Sequence, residues 1–142
     1  MLVQPLALES AVPTLARYTV LIVDDEESIA EPLRVRLQRL GFATLTANSG
    51  RQASELARRE RPDCITLDLG LPDIDGFELC QQLVDDEATS EIPVIIVSGN
   101  DSPDIVRRAR AAGCHFFVRK PFDPNALLAL IRQAIDSGLD DE

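Results

Sequence analysis

The sequence has no apolar run long enough to cross a bilayer, so no membrane-spanning segment is expected. It has no C-x-x-C pair, and its cysteines, Cys64, Cys80 and Cys114, are odd in number. That usage speaks against a disulfide framework and for three free, mostly buried thiols in a reducing, cytoplasmic setting. Positive charge is scarce. Fourteen Lys and Arg against 24 Asp and Glu leave a formal net charge of -10. Phosphate backbones are gripped by clustered Lys and Arg, so no direct nucleic-acid partner is expected, although a locally positive face stays open. No G-x-G-x-x-G follows the first apolar run. Four acids stand there instead and would repel a dinucleotide's phosphates. No basic residue precedes Arg17, and Gln4, Pro5, Glu9 and Pro13 interrupt the start, so it is not a signal peptide. Histidine occurs once, at His115, which reads as a structural residue opening a strand. No internal repeat is visible.

What is present is an ordinary globular balance. Of the 142 residues, 45% are hydrophobic and 27% charged, which suits one domain with a normal core. Residues 1–17 read as an N-terminal extension that packs on the surface or on a neighbouring chain. Residues 18–138 form the domain, and 139–142 an acidic tail. Within the domain, short β-rich runs alternate with helical periods. Thr19–Val23 is all apolar after its first residue and ends in Asp24-Asp25-Glu26-Glu27. A helix follows over Ser28–Leu40, then a strand over Phe42–Ala47 and a helix over Arg51–Arg59. Cys64–Leu67 is a third strand, stopping at Asp68. Asp75 caps a helix over Phe77–Val84. Pro93–Val97 is a fourth strand. Ser102-Pro103 starts a helix to Ala112, His115–Val118 is a fifth strand, and Asp123-Pro124 starts a helix to about Ser137. Strand and helix alternate five times. That implies an α/β fold with a parallel sheet, right-handed crossovers and helices on both faces.

In such a sheet the strand ends after which Asp24, Asp25, Asp68, Ser98 and Lys120 fall share one edge, where ligands bind. A carboxylate closing an apolar strand is costly without a partner. Three together need protons or a cation, and a hard, oxygen-preferring Mg²⁺ suits them. Asp68 can then attack a phosphoryl group to form an aspartyl phosphate. Lys120 would pair with a phosphoryl oxygen, and the Ser98 hydroxyl would donate to another. Each residue alone has a plain alternative: a cap for Asp25, a turn residue for Asp68, a solvated surface lysine for Lys120. The set at successive strand ends does not.

V-D-D-E at Val23–Glu26, D-x-x-L-P-D-x-D-G at Asp68–Gly76, V-S-G at Val97–Gly99 and K-P-F at Lys120–Phe122 resemble the receiver domain of two-component response regulators. The resemblance covers Tyr18 to Ser137. It implies the flavodoxin-like, CheY-like (βα)5 fold with strand order 2-1-3-4-5. It implies that Asp68 is the phosphoacceptor, and that Asp25, Asp68 and the Gly70 backbone carbonyl hold Mg²⁺ with Asp24 acting through water. Ser98 and Phe117 become the switch pair, Lys120 the phosphate-sensing lysine, and Lys120-Pro121 a cis peptide. Two departures stand out. Gly70 leaves the phosphoryl group unshielded, which predicts a short-lived phosphorylated state. Phe117 has no hydroxyl, so a switch there works by packing.

Implied partners are a histidine kinase or histidine phosphotransfer protein and a downstream target or output domain. The face of helix 4, strand 5 and helix 5, with Arg107, Arg108, Arg110 and Arg119, could bind an acidic partner or pair two copies. Arg34, Arg36 and Arg39 on helix 1 could dock the phosphodonor. A solvated surface is the plain alternative for both sets. A stand-alone protein is expected, with a receiver cut from a hybrid kinase or multidomain regulator as the alternative. A metal-dependent phosphatase with an Asp nucleophile is a further alternative. Its usual second Asp would stand at Gly70, which argues against turnover, so the chain is expected to be a signalling phosphoacceptor.

Overall fold

The computed structural model describes residues 18–99, 102–114 and 116–140. The extension and His115 fall outside the described residues, as do the readings placed on them. The elements run β1 (Thr19–Val23), α1 (Glu27–Arg39), β2 (Ala43–Ala47), α2 (Gly50–Glu60), β3 (Cys64–Asp68), α3 (Gly76–Asp85), β4 (Val94–Ser98), α4 (Ile105–Ala111), β5 (Phe116–Arg119) and α5 (Pro124–Asp140). The strands form one parallel sheet in the order β2-β1-β3-β4-β5.

The unbroken apolar runs have a simple cause: both faces of the sheet are covered. Successive side chains of a strand point to opposite faces. Leu21, Val23, Ile65, Leu67 and Ile96 therefore pack with Ala53 and Ala57 of α2, Leu79 and Leu83 of α3 and Ala109 of α4. Their neighbours Val20, Ile22, Cys64, Ile95 and Val97 pack with Leu33 and Leu37 of α1 and Leu127 and Ile131 of α5. The central strands β3 and β4 are buried throughout, whereas β2, at an edge, leaves Ala43 and Thr46 exposed.

Local chemistry sets the element ends. Ser49 caps α2 by accepting from the Gln52 N–H, and Asp75 caps α3 by accepting from the Phe77 N–H at 2.8 Å. Gly113, after α4, has φ +94°, and a Cβ there would meet Val84 Cγ2 at 3.0 Å, so a side chain is excluded twice over. Several boundaries differ from the sequence reading by a residue or more. Phe42 precedes β2 and is a core residue, held by its N–H to the Leu37 carbonyl. The Ser98 hydroxyl belongs to β4 itself. Ser102-Pro103 forms a turn before α4, its Ser102 carbonyl accepting from the Ile105 N–H, so the helix starts later. α5 continues to Asp140, so the acidic tail begins inside a helix.

The cysteines are also corrected. Cys80 of α3 and Cys114, just after α4, are joined as a disulfide, with Cα atoms 6.9 Å apart. Both face the same side of the core, a meeting that 34 residues of separation conceals in the sequence. Only Cys64 is free among the described residues, and burial pushes its thiol up to about 12, which makes it inert.

Candidate functional site

Parallel pairing brings the strand ends to one edge. Asp68 is the last residue of β3, opposite Val97, and Ser98 is the last of β4, opposite Arg119. Asp24 and Asp25 follow β1, and Lys120 follows β5. Asp24, Asp68 and Ser98 are buried, while Asp25 is exposed. One carboxylate oxygen from each of Asp24, Asp25 and Asp68 lies within 4.8 Å of the others.

Lys120 is the counterion among these acids. Its Nζ lies 3.4 Å from Asp24 Oδ2, 3.3 Å from Asp68 Oδ1 and 3.3 Å from Glu26 Oε1. Burial opposes its ammonium, but Asp24 and Asp68 outweigh burial and hold its pKa above the usual lysine value. Burial pushes the Asp24 carboxyl up, and the nearby Asp68 adds to this. The Glu26 N–H, donated to Asp24 Oδ1 at 2.9 Å, and Lys120 oppose it without cancelling it. One ammonium does not balance this many carboxylates, so the cluster could hold a further cation. Mg²⁺–oxygen distances of 2.0–2.1 Å put opposed ligands about 4.2 Å apart. A cluster spanning 4.8 Å fits such an ion with a small inward turn of the carboxylates.

Of the three, Asp68 opens into a cavity of about 620 Å³, lined also by Glu26, Gly70, Ser98, Lys120, Phe77 and Arg108 among others. Gly70 leaves that side clear: a Cβ there would meet only Asp68 Oδ2, at 3.8 Å. Phe117 does not line this cavity. It sits in β5 opposite Ile96 and packs, half-buried, on the core shared with α2, α3 and α4. The Lys120-Pro121 peptide is cis, as the resemblance implied.

Sequence reasoning missed three participants. Glu26 was one acid in a run, with nothing to single out its contact with Lys120. Asp73 accepts from the Gly50 and Arg51 N–H groups at 2.8 and 3.0 Å, which ties the loop after β3 to the start of α2 and lowers the Asp73 pKa. Arg108 lies over the ring of Phe77 at the mouth of the cavity rather than standing freely on an outer face.

A doubly wound parallel sheet with acids, a hydroxyl and a lysine gathered at its strand ends defines an α/β module whose sheet edge could hold a cation. The family model of the response regulator receiver domain matches residues 20–132. The chain belongs to that family: it is a receiver domain of two-component response regulators, a signalling family. It is similar to the phosphate regulon transcriptional regulatory protein PhoB of Pseudomonas aeruginosa, 35% identical over 82% of this chain and 51% of that protein. It is also similar to the DNA-binding response regulator MtrA of Mycolicibacterium smegmatis, 37% identical over 82% of this chain and 50% of that protein. The chain spans about half the length of these relatives. Among solved structures, the chemotaxis response regulator CheY4 of Vibrio cholerae matches with a TM-score of 0.77 and 30% identity, covering 82% of this chain and 98% of that one. A CheY-like receiver domain protein from Methanospirillum hungatei has a TM-score of 0.82 at 24% identity, covering 88% of this chain and 98% of that one, and supports the fold alone. The expectation of no direct nucleic-acid partner is not borne out by these relatives, one of which is named as DNA-binding. No helix among the described residues is long and apolar enough to cross a membrane.

Proposed function

We propose that Asp68 is the phosphoacceptor of this receiver. In the transfer, an Asp68 carboxylate oxygen forms a bond to phosphorus. The bond from phosphorus to the donor breaks, and the leaving group takes that electron pair, leaving an aspartyl phosphate. Asp25, Asp68 and the Gly70 carbonyl would hold Mg²⁺, with Asp24 acting through water. Bound there, the ion supplies charge that offsets the developing phosphoryl oxygens. Lys120 exchanges an Asp68 contact for a phosphoryl oxygen, and the Ser98 hydroxyl donates to another. The observation that carries this reading is the position of Asp68. It is buried at a strand end, 3.3 Å from Lys120, within the acid cluster and beside Ser98 in one cavity.

The phosphodonor in this proposal is a histidine kinase or a histidine phosphotransfer protein, met in the cytoplasm. Arg36 and Arg39 line an apolar groove between α1 and the Lys120-Pro121-Phe122 loop, which supports docking beside the site. Arg34 is engaged with Glu31 and Gln38, and Arg36 donates to Asn125 Oδ1 at 2.9 Å. Charging of Asp68 draws Ser98 inward and lets Phe117 repack. That changes the face of α4, β5 and α5, which meets a downstream partner or a second copy. The lengths of the relatives favour a receiver that serves a longer regulator, and their names favour a transcriptional output. The test is incubation with Mg²⁺ and acetyl phosphate followed by intact mass. The wild type gains one phosphoryl group and Asp68→Asn gains none. An adduct on both proteins rejects Asp68.

A further inference from the structure

Lys120 contacts Asp24, Glu26 and Asp68, and a second cation, Arg108, lines the same cavity. The guanidinium carbon of Arg108 lies 4.5 Å from the centroid of the Phe77 ring, and its Nη2 lies 3.9 Å from Asp75 Oδ2. Phe77 and Asp75 are themselves fixed, because Asp75 Oδ1 accepts from the Phe77 N–H where α3 begins. The ring sets the position of the guanidinium without neutralising it. The Asp75 contact is long and both side chains are about half exposed, at 52% and 53%, so it is a weak ion pair and readily exchanged. Gly70, which lines the same cavity, adds no side chain to it.

The chemistry asks for such a group. A phosphodonor is an anion approaching a partly buried cluster of carboxylates in a chain of net charge -10. Approach is opposed until a cation meets it. A planar guanidinium matches phosphoryl oxygens in pairs, which a point charge does not.

We propose that Arg108 receives the phosphoryl oxygens of a small acyl phosphate at the mouth of the cavity, exchanging Asp75 for the donor, and so governs how well such donors charge Asp68. This rests on Asp68 being the phosphoacceptor. Arg108 keeps its protons throughout. The new bond is from Asp68 oxygen to phosphorus, the acyl oxygen–phosphorus bond breaks, and the carboxylate product leaves with the electron pair.

The test is the rate of phosphorylation against acetyl phosphate concentration at saturating Mg²⁺. Arg108→Ala is expected to raise the half-saturating concentration about ten-fold with the maximal rate little changed. Arg108→Lys is expected to recover part of the loss. Asp75→Asn keeps a capping side chain but removes the competing charge, and it lowers the half-saturating concentration. Arg59→Ala, a distant loss of the same charge, changes nothing, and Mg²⁺ affinity of Arg108→Ala stays within two-fold of wild type. Half-saturation in Arg108→Ala within two-fold of wild type, or an equal loss in Arg59→Ala, overturns the proposal. A wild type that takes no phosphoryl group rejects Asp68 as acceptor and this inference with it. A charged wild type beside an unchanged Arg108→Ala rejects the inference alone.

Discussion

Asp24 shows how single residues set the site's behaviour. It is buried, faces Asp68, and binds its proton more tightly in the folded protein than an ordinary aspartate does. A raised carboxylate favours the fold while protonated, and that contribution is lost as pH rises through its folded pKa. The charged form is the one a cation needs. Mg²⁺ affinity should therefore weaken on acidification, starting above the ordinary aspartate value of 3.8. Calorimetric titration between about pH 4.5 and 7.5 checks this, since free aspartates ionise near 3.9. Asp24→Asn should flatten the profile and raise the melting temperature of the metal-free protein by a few degrees. Affinity that is flat across the window in wild type, or a lower melting temperature in Asp24→Asn, contradicts the account. Lys120 has the opposite charge and a raised pKa, so its contribution is fully present below 10.5 and is lost only at alkaline pH. Asp24, Asp25, Asp68, Ser98 and Lys120 were legible because each stands at the end of an apolar run. Glu26 and Arg108 were not, because their roles come from contacts across 94 and 31 positions, which periodicity does not encode.

At the scale of elements, the loop after β3 lines the cavity that Asp68 faces. Gly70 has room for a side chain, so Gly70→Met should fold normally and shield the phosphoryl group from water. The half-life of the phosphorylated protein, followed by intact mass after donor removal, should lengthen several-fold, and an unchanged half-life refutes the shielding role. Gly113 is the contrary case. Gly113→Ala meets both a positive φ and the Val84 side chain, so it should cost about 1–3 kcal/mol in urea unfolding. A neutral result shows that the turn relaxes freely. Element identities were legible from apolar runs and turn residues, but their ends were not. Ser102-Pro103 looks like a helix start, yet the chain closes a turn there first and α4 begins at Ile105. Phe42 looks like strand, yet it serves the core under α1 and the edge strand.

Over the whole molecule, the sheet turns distant sequence into one site. Alternate strand positions build the two cores, and the strand ends left over gather the acids, the hydroxyl and the lysine. The alternation of runs made the parallel α/β class legible. The strand order was implied by the motif set rather than by periodicity, and the structure bears it out. The Cys80–Cys114 link was hidden for a related reason: only the packing of α3 against the end of α4 brings the sulfurs together.

The most direct measurement is the site of the phosphoryl group after treatment with Mg²⁺ and acetyl phosphate, read by intact mass and by borohydride reduction followed by peptide sequencing. The account predicts one group per chain, on Asp68, lost in Asp68→Asn and when Mg²⁺ is chelated beforehand. A group carried elsewhere, or equal labelling without Mg²⁺, contradicts it.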